Sequence, residues 1–507
     1  MAEDIADVDV PPSASGSSGS GGVHARPTRA HLLTLPAQSR ADLLFTNSEI
    51  LAPMVRASSA PLRLLALEYG ADLVYTEEIV DRAITSCDRI LNDDVGSIDY
   101  VKKPSSFSPK VRRRMRSRNE IPVVLRILPA FESGRLIYQM GTGESSLALP
   151  AALRVVKDVD GIDVNMGCPK KFSVSGGMGS ALLSDPHRAC DVIRTLRRNL
   201  GETPVSAKIR LLGDVRSTVE FARGLIGAGA NAVAIHARRV GDESTTAARW
   251  DDAAEVVREL KRVENVPVIL NGDLYARDDM TEMRRRTGCD GVMMARPALY
   301  NASLFRKPPP PASASEDDSA PEKYSYSSPL LSSKTSVARR YMSLCHSYGT
   351  SFKNAKYVVC EMMNHRRTPP NISYRLSMDF DDGRTVDEVC RTQSTEELCR
   401  LWDVNLSGIK GQTVDAGMWL DGKLPGMGNE NENENENGTA AVAVAAMGGA
   451  VAEAKGEALT SPAAPANAGG GGNGREGTDG RTYDDRYFLD PEGLRRERES
   501  KVKDSAK

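Results

Sequence analysis

The sequence predicts a (β/α)8 barrel followed by a small helical domain, with disordered N- and C-terminal tails. Three observations predict it. Eight β-rich segments alternate with helical patterns across about 250 residues, the length of such a barrel. Each segment is apolar on both faces and closes on polar or glycine residues, as a buried parallel sheet requires. From residue 334 the pattern turns purely helical, with Val337, Tyr341, Leu344 and Tyr348 at three- and four-residue spacing. Eight such units fit a closed barrel better than an open doubly wound sheet.

Residues 1–40 include PPSASGSSGSGG, cannot bury a core, and are read as a disordered arm. The barrel domain is placed at 41–307. Its expected strands are residues 49–54, 72–78, 136–142, 161–167, 204–211, 231–238, 267–273 and 290–297. Between them, VRSTVEFARGLIGAG sets Val215, Val219, Ala222 and Ile226 on one helical face. A ninth strand-like run, residues 122–128, is read as an added element before the third barrel strand. A linker follows at 308–330, rich in Pro and Ser, then a helical domain at 331–410. Residues 411–507, with NENENENENG and GGGGNG, read as a low-complexity tail.

Composition excludes some classes and leaves others open. The chain has 507 residues and a net charge of −2, so any basic surface is local. No apolar run approaches the roughly 20 residues that span a bilayer, so no membrane partner is expected. Eight cysteines without CxxC pairing and an acidic, Arg-free start point to reduced thiols in the cytoplasm or nucleus. One histidine and no carboxylate cluster on the rim do not make a metal site. Nothing in the pattern asks for a second subunit, so a monomer is expected.

Chemistry in such a barrel gathers where the strands end. Those ends carry Pro53-Met54, Glu77-Glu78, Gln139, Asn165 with Cys168, Lys208 with Arg210, His236 with Arg238, Asn271-Gly272 and Ala295-Arg296. No Gly-x-Ser-x-Gly elbow occurs, and Cys168 has no His-Asp pair to make it a nucleophile. The set suits a planar, amide-like ring with a phosphate tail. Gln139 can hydrogen-bond ring carbonyl and imide groups in both directions. Lys208 and His236 can face a ring oxygen that gains negative charge on reduction. Asn271-Gly272 and Ala295-Arg296 offer small residues and a cation to a phosphate. These features describe a flavin mononucleotide site, at whose mouth Cys168 can serve as a general acid. Cys190 and Cys289 read instead as small buried hydrophobes.

The motifs LAPMVR, LLALEYGADLVYTEE, YQMGT, GIDVNMGCPK, GGMGSALLSDP, KIR and ILNG, in that order, closely resemble the tRNA-dihydrouridine synthases. Within them the resemblance is to the eukaryotic branch that acts on uridine 20. It covers residues 49–305 and resumes at 334–405, where YMSLCHSYGTSFKNAKYVVCEMM and TQSTEELCRLWDV are similar to that family's helical tRNA-binding domain. The resemblance implies FMN contacts from Pro53, Met54, Gln139, Lys208, His236, Asn271, Gly272, Ala295 and Arg296. It implies that Cys168 protonates C5 of uracil as hydride reaches C6, and that Asn165, Arg210 and Arg238 face the substrate. NADPH or NADH would supply the electrons, tRNA would be the partner, and the loop 170–183 would close over the site.

Three departures stand out. His236-Ala237-Arg238 replaces His-Gly-Arg, and Asp273 replaces a Gly or Asn beside the expected phosphate. Where animal members carry a double-stranded-RNA-binding domain, the interval from 421 shows no such pattern, so grip on RNA is expected from residues 109–118, Arg238-Arg239, Lys353 with Lys356, and Arg366-Arg367. The alternatives are a catalytically silent RNA-binding barrel, which Asp273 keeps open, and a flavin oxidoreductase of a free pyrimidine. Intact Cys168, Lys208 and His236 oppose the first; the helical domain with its basic pairs opposes the second.

Overall fold

Apolar segments with inward polar ends assemble as expected. The computed structural model describes residues 26–118, 121–307, 331–363, 383–406 and 416–421. The linker 308–330, Arg366-Arg367, residues 1–25 and most of the tail lie outside the described residues. Eight parallel strands close into a barrel: Glu49–Leu51, Leu73–Tyr75, Leu136–Gly141, Gly161–Asn165, Val205–Leu211, Ala232–Arg239, Val268–Asn271 and Gly291–Met294. The first pairs with the eighth and the second with the third, which completes the ring.

Alternation along each strand divides the core in two. Val74, Tyr138, Ile162, Val164, Ala207, Ile209, Val233, Ile235 and Leu270 face the outer helices. Ile50, Leu73, Tyr75, Ile137, Ala232, Ala234, Ile269 and Met293 fill the barrel interior. Above this apolar plug the same inward rows turn polar, ending on Gln139, Asn165, Lys208, His236 and Asn271. The register confirms the level: Asn165 pairs with Lys208, and His236 with both Arg210 and Asn271.

Below the plug, two short helices, Arg29–Leu33 and Ala37–Phe45, close the barrel floor. Leu32, Ala41, Leu44 and Phe45 join the interior cluster. The expected disordered arm through residue 40 is therefore too long by about a dozen residues. Its end is spent sealing an open barrel floor, a demand that composition alone does not register.

The run at 122–128 is the third strand of a separate antiparallel sheet, Cys87–Asn92, Ser97–Lys102 and Val123–Ile127. The first two strands escape a sequence reading because Asp88, Arg89, Asp93 and Asp94 break the apolar pattern. Gly96, at φ 65°, closes the hairpin between them in the left-handed region that glycine favours.

The helical region comprises Lys334–Tyr348, Phe352–Met363, Val386–Arg391 and Thr395–Leu401. Its first helix packs on the barrel helix Ala60–Glu68, and Arg340 pairs with Glu68 at 2.6 Å. Arg126 of the inserted sheet donates to the carbonyl of Tyr348 and pairs with Asp99 at 2.5 Å, tying sheet and helices together. A further correction falls in the expected tail: Ala416–Leu420 is a helix whose Trp419 is fully buried on the inserted sheet. A lone tryptophan in a glycine-rich context gives no periodic signal, so the sequence does not announce this helix.

Candidate active site

The fourth strand, GIDVN, sends Ile162 and Val164 outward and Asp163 and Asn165 inward. Asp163, fully buried, accepts from Gln139 Nε2 at 2.8 Å and from Ser206 Oγ at 2.7 Å. Burial pushes its carboxyl up to about 6. With its Nε2 fixed on Asp163, Gln139 turns Oε1 to Asn165 Nδ2 at 3.1 Å. One N–H and one oxygen lone pair of that amide remain for a ring.

Asn165 then shapes the turn that carries the cysteine. Its Oδ1 accepts from Gly167 N at 3.0 Å and Cys168 N at 2.9 Å. Arg210 braces the same turn, donating from Nε to the Gly167 carbonyl at 2.9 Å and from Nη1 to that of Arg239 at 3.0 Å. Both residues hold the thiol's backbone, a role that the sequence reading, which set them against the substrate, did not include.

The Cys168 thiol is half-buried and hydrogen-bonded to Glu78. Burial, and then the Glu78 carboxylate beside it, pushes the thiol up to about 11. It therefore holds its proton at neutral pH. Glu78 also accepts from Ser173 Oγ at 3.2 Å. Two glycines make room: a Cβ on Gly141 would lie 2.9 Å from Glu78 Oε1, and one on Gly179 would lie 2.6 Å from the Cys168 carbonyl oxygen. Glu78 appears in the sequence only as a strand-end carboxylate; its partner is ninety residues away, and spacing cannot reveal that.

Lys208 and His236 rise on neighbouring strands. Burial, then the charge of Arg210, brings the Lys208 ammonium down to about 8. Its Nζ reaches Asn271 Oδ1 at 3.4 Å, while Asn271 Nδ2 is fixed on the Met293 carbonyl at 2.7 Å. Burial and the cations Lys208, Arg210 and Arg238 hold His236 well below its usual range. Arg238 Nη1 lies 3.3 Å from His236 Nε2. A guanidinium only donates, so Nε2 accepts and the neutral ring carries its proton on Nδ1.

One of the three departures, Asp273, resolves here. Asp273 sits at φ 54°, a left-handed position where Gly, Asn and Asp are the tolerated residues. Its carboxylate pairs with Arg238 at 2.5 Å, lies 3.4 Å from Arg296, and accepts from Ala248 N at 2.6 Å. It is thus neutralised by two cations. Arg238 itself is 2% exposed and also donates to the Thr246 carbonyl. That corrects its expected place on the substrate-facing surface: it is an internal strut. Lys356 is likewise drawn in, donating to the carbonyls of Cys390 and Thr392.

His236, Gly272, Ala295 and Arg296 line a cavity of about 60 Å3 at the ends of the last strands. A Cβ on Gly272, at φ 140°, would come within 3.0 Å of Ala248 Cβ, so only glycine brings backbone this close. Pro53 and Met54 follow the first strand at the same level and keep part of their surface open. The loop over the mouth is ordered as a helical turn, Lys171–Ser175, and a 3-10 turn, Gly179–Ser184. Among the described residues no group of three His, Cys, Asp or Glu side chains could hold a metal ion.

An amide chain, an ammonium, a neutral imidazole and a protonated thiol stand together on one rim of the barrel, groups that can hydrogen-bond a polar ring and donate a proton. The family model described as Dihydrouridine synthase (Dus) matches residues 50–379. The chain belongs to that family. It is similar to the tRNA-dihydrouridine(20) synthase [NAD(P)+] of Schizosaccharomyces pombe, 34% identical over 327 residues, which cover 63% of this chain and 60% of the relative. The protein of that name from Saccharomyces cerevisiae is 37% identical over 243 residues, 47% of this chain and 60% of the relative. A tRNA-dihydrouridine(20a/20b) synthase of S. pombe is 30% identical over 257 residues, 50% of this chain and 68% of that one. The matched part thus spans three fifths of the length of the two (20) synthases.

Proposed function

We propose that this chain reduces uridine to 5,6-dihydrouridine in tRNA, at position 20, with FMN as its flavin and NADPH as reductant. The observation that carries the reading is the Cys168 thiol, kept protonated beside Glu78, on a turn that starts at the strand partner of Lys208. The family membership and the printed names of the two yeast relatives support the reaction and the position.

The residues present fit FMN. The amide of Gln139 and the ammonium of Lys208 meet a polar ring, while Gly272, Ala295 and Arg296 border a cavity that suits a phosphate. Pro53, Met54, His236 and Asn271 complete the contacts. The chemistry FMN supplies when bound is hydride delivery to C6 of uracil.

The chain's own residues do the rest. Cys168 gives its proton to C5, which makes it a general acid and leaves a thiolate. Glu78 keeps that thiol protonated beforehand, since a carboxylate neighbour disfavours a second negative charge. Ser173 fixes the carboxylate. Lys208 and the Nδ1–H of His236 offer positive charge and a donor to an oxygen that becomes anionic. The uridine must leave its stack to arrive here, which requires contacts to the surrounding backbone. Such a substrate, with eight free cysteines, suits the cytoplasm or nucleus.

The test is to incubate the purified protein with NADPH and unmodified tRNA, extract the flavin, and map dihydrouridine by sequencing. FMN in the protein and dihydrouridine confined to position 20 are the expected results. Dihydrouridine at another position would move the site assignment; none at all, with activity on free uracil, would overturn the substrate.

A further inference from the structure

The helix Pro109–Arg118 takes no part in the site above, yet its sequence, PKVRRRMRSR, contains no acid. Lys110, Arg113 and Arg114 are exposed, Arg112 is partly so, and none of them forms an ion pair among the described residues. Some exposed helical arginines elsewhere have an acid partner in their own helix, as in Arg216–Glu220 and Arg285–Glu282, whereas this helix offers none. Like charges three and four residues apart on a helix repel, as Lys110 does with Arg113 and Arg114, and no acid in the helix offsets them.

The apolar side of the helix is already used. Met115 joins Phe107, Ile121 and Val123 in a cluster around Trp419, whose ring meets Phe107 edge-on at 6.3 Å. Arg116 pairs with Asp421 at 2.5 Å. The segment around Trp419 thus clamps the helix on the inserted sheet and consumes one cation, leaving Lys110, Arg112, Arg113 and Arg114 for a partner. No apolar face is left to enter a lipid layer, which separates this helix from membrane-surface amphipaths.

We infer that this helix is a docking surface for the phosphate backbone of an RNA, held in place by Trp419 and Asp421. The inference rests on the tRNA reading above. Such contacts grip without reading sequence, and they weaken steeply with salt.

The test uses the full chain and an unmodified tRNA transcript, with binding measured by fluorescence anisotropy from 50 to 200 mM salt. The triple variant Arg112→Ala, Arg113→Ala, Arg114→Ala is expected to raise Kd at least tenfold at 150 mM, on the order expected from phosphate contacts. The slope of log K against log salt should fall by about 3. Flavin content and NADPH oxidation with an artificial electron acceptor should stay unchanged, and the matching triple lysine variant should keep most of the affinity. Trp419→Ala should weaken binding in the same direction. Wild-type binding with an unaltered triple alanine variant would overturn the surface alone. No binding by the wild type would overturn the tRNA reading and this surface with it. Loss of binding only to anionic phospholipid vesicles would assign the helix to a membrane and overturn the proposal.

Discussion

Asp273 Oδ1 lies 2.5 Å from Arg238 Nη2, and both side chains are almost wholly enclosed. Asparagine would keep the left-handed backbone at this position while removing the charge. Arg238 would then be a buried cation without its carboxylate. Asp273→Asn is expected to cost about 3–5 kcal/mol of stability, measured by urea denaturation. A loss below about 1 kcal/mol would show that the pair is not the strut described.

Asp163 gives a pH-dependent prediction. Its folded value of about 6 lies above the ordinary 3.8, so the fold favours the protonated form. Its favourable contribution is complete below about pH 4 and is lost as pH rises through 6. An amide at this position would not titrate. Relative to the wild type, Asp163→Asn should therefore gain about 2–3 kcal/mol between pH 4 and pH 7. Denaturation curves at the two pH values that differ equally for both proteins would contradict this.

Gly179, at φ 59°, lets the loop pass against Cys168 and Ser173. Alanine there adds about 1–2 kcal/mol of backbone strain and pushes on the Cys168 carbonyl. Gly179→Ala is expected to lower kcat at least tenfold with little change in KM for tRNA. Equal loss in both parameters would place the fault in substrate binding instead.

Phe45 tests the floor of the barrel. It is 1% exposed within the interior cluster, so Phe45→Ala should cost about 3–5 kcal/mol. Because the floor lies opposite the strand ends that carry the chemistry, the folded variant should keep its kcat. A stable variant would show that the helix carrying Phe45 does not seal the barrel floor.

Much of this was legible in the sequence, for identifiable reasons. Parallel strands buried on both faces print continuous apolar runs, and all eight barrel segments stood out on that basis. Rim residues print polar ends on those runs, which exposed Gln139, Asn165, Lys208, His236 and Asn271. What stayed hidden depends on partners distant in sequence. Glu78 meets Cys168 across ninety residues, Asp273 finds Arg238 across thirty-five, and Trp419 lands on Ile90 and Val101, more than three hundred residues earlier. The inserted strands were masked by their own charges, and Arg238 looked solvent-facing because a carboxylate opposite it leaves no periodic trace.

The central claim is that Cys168 delivers the proton while the rest of the rim holds the flavin. The direct measurement is single-turnover reduction of unmodified tRNA by the Cys168→Ala variant, with its visible spectrum recorded beforehand. The account predicts a flavin spectrum like the wild type's and loss of dihydrouridine formation by at least a hundredfold, the range of general acid catalysis. A variant that keeps its flavin and forms dihydrouridine at the wild-type rate would contradict it.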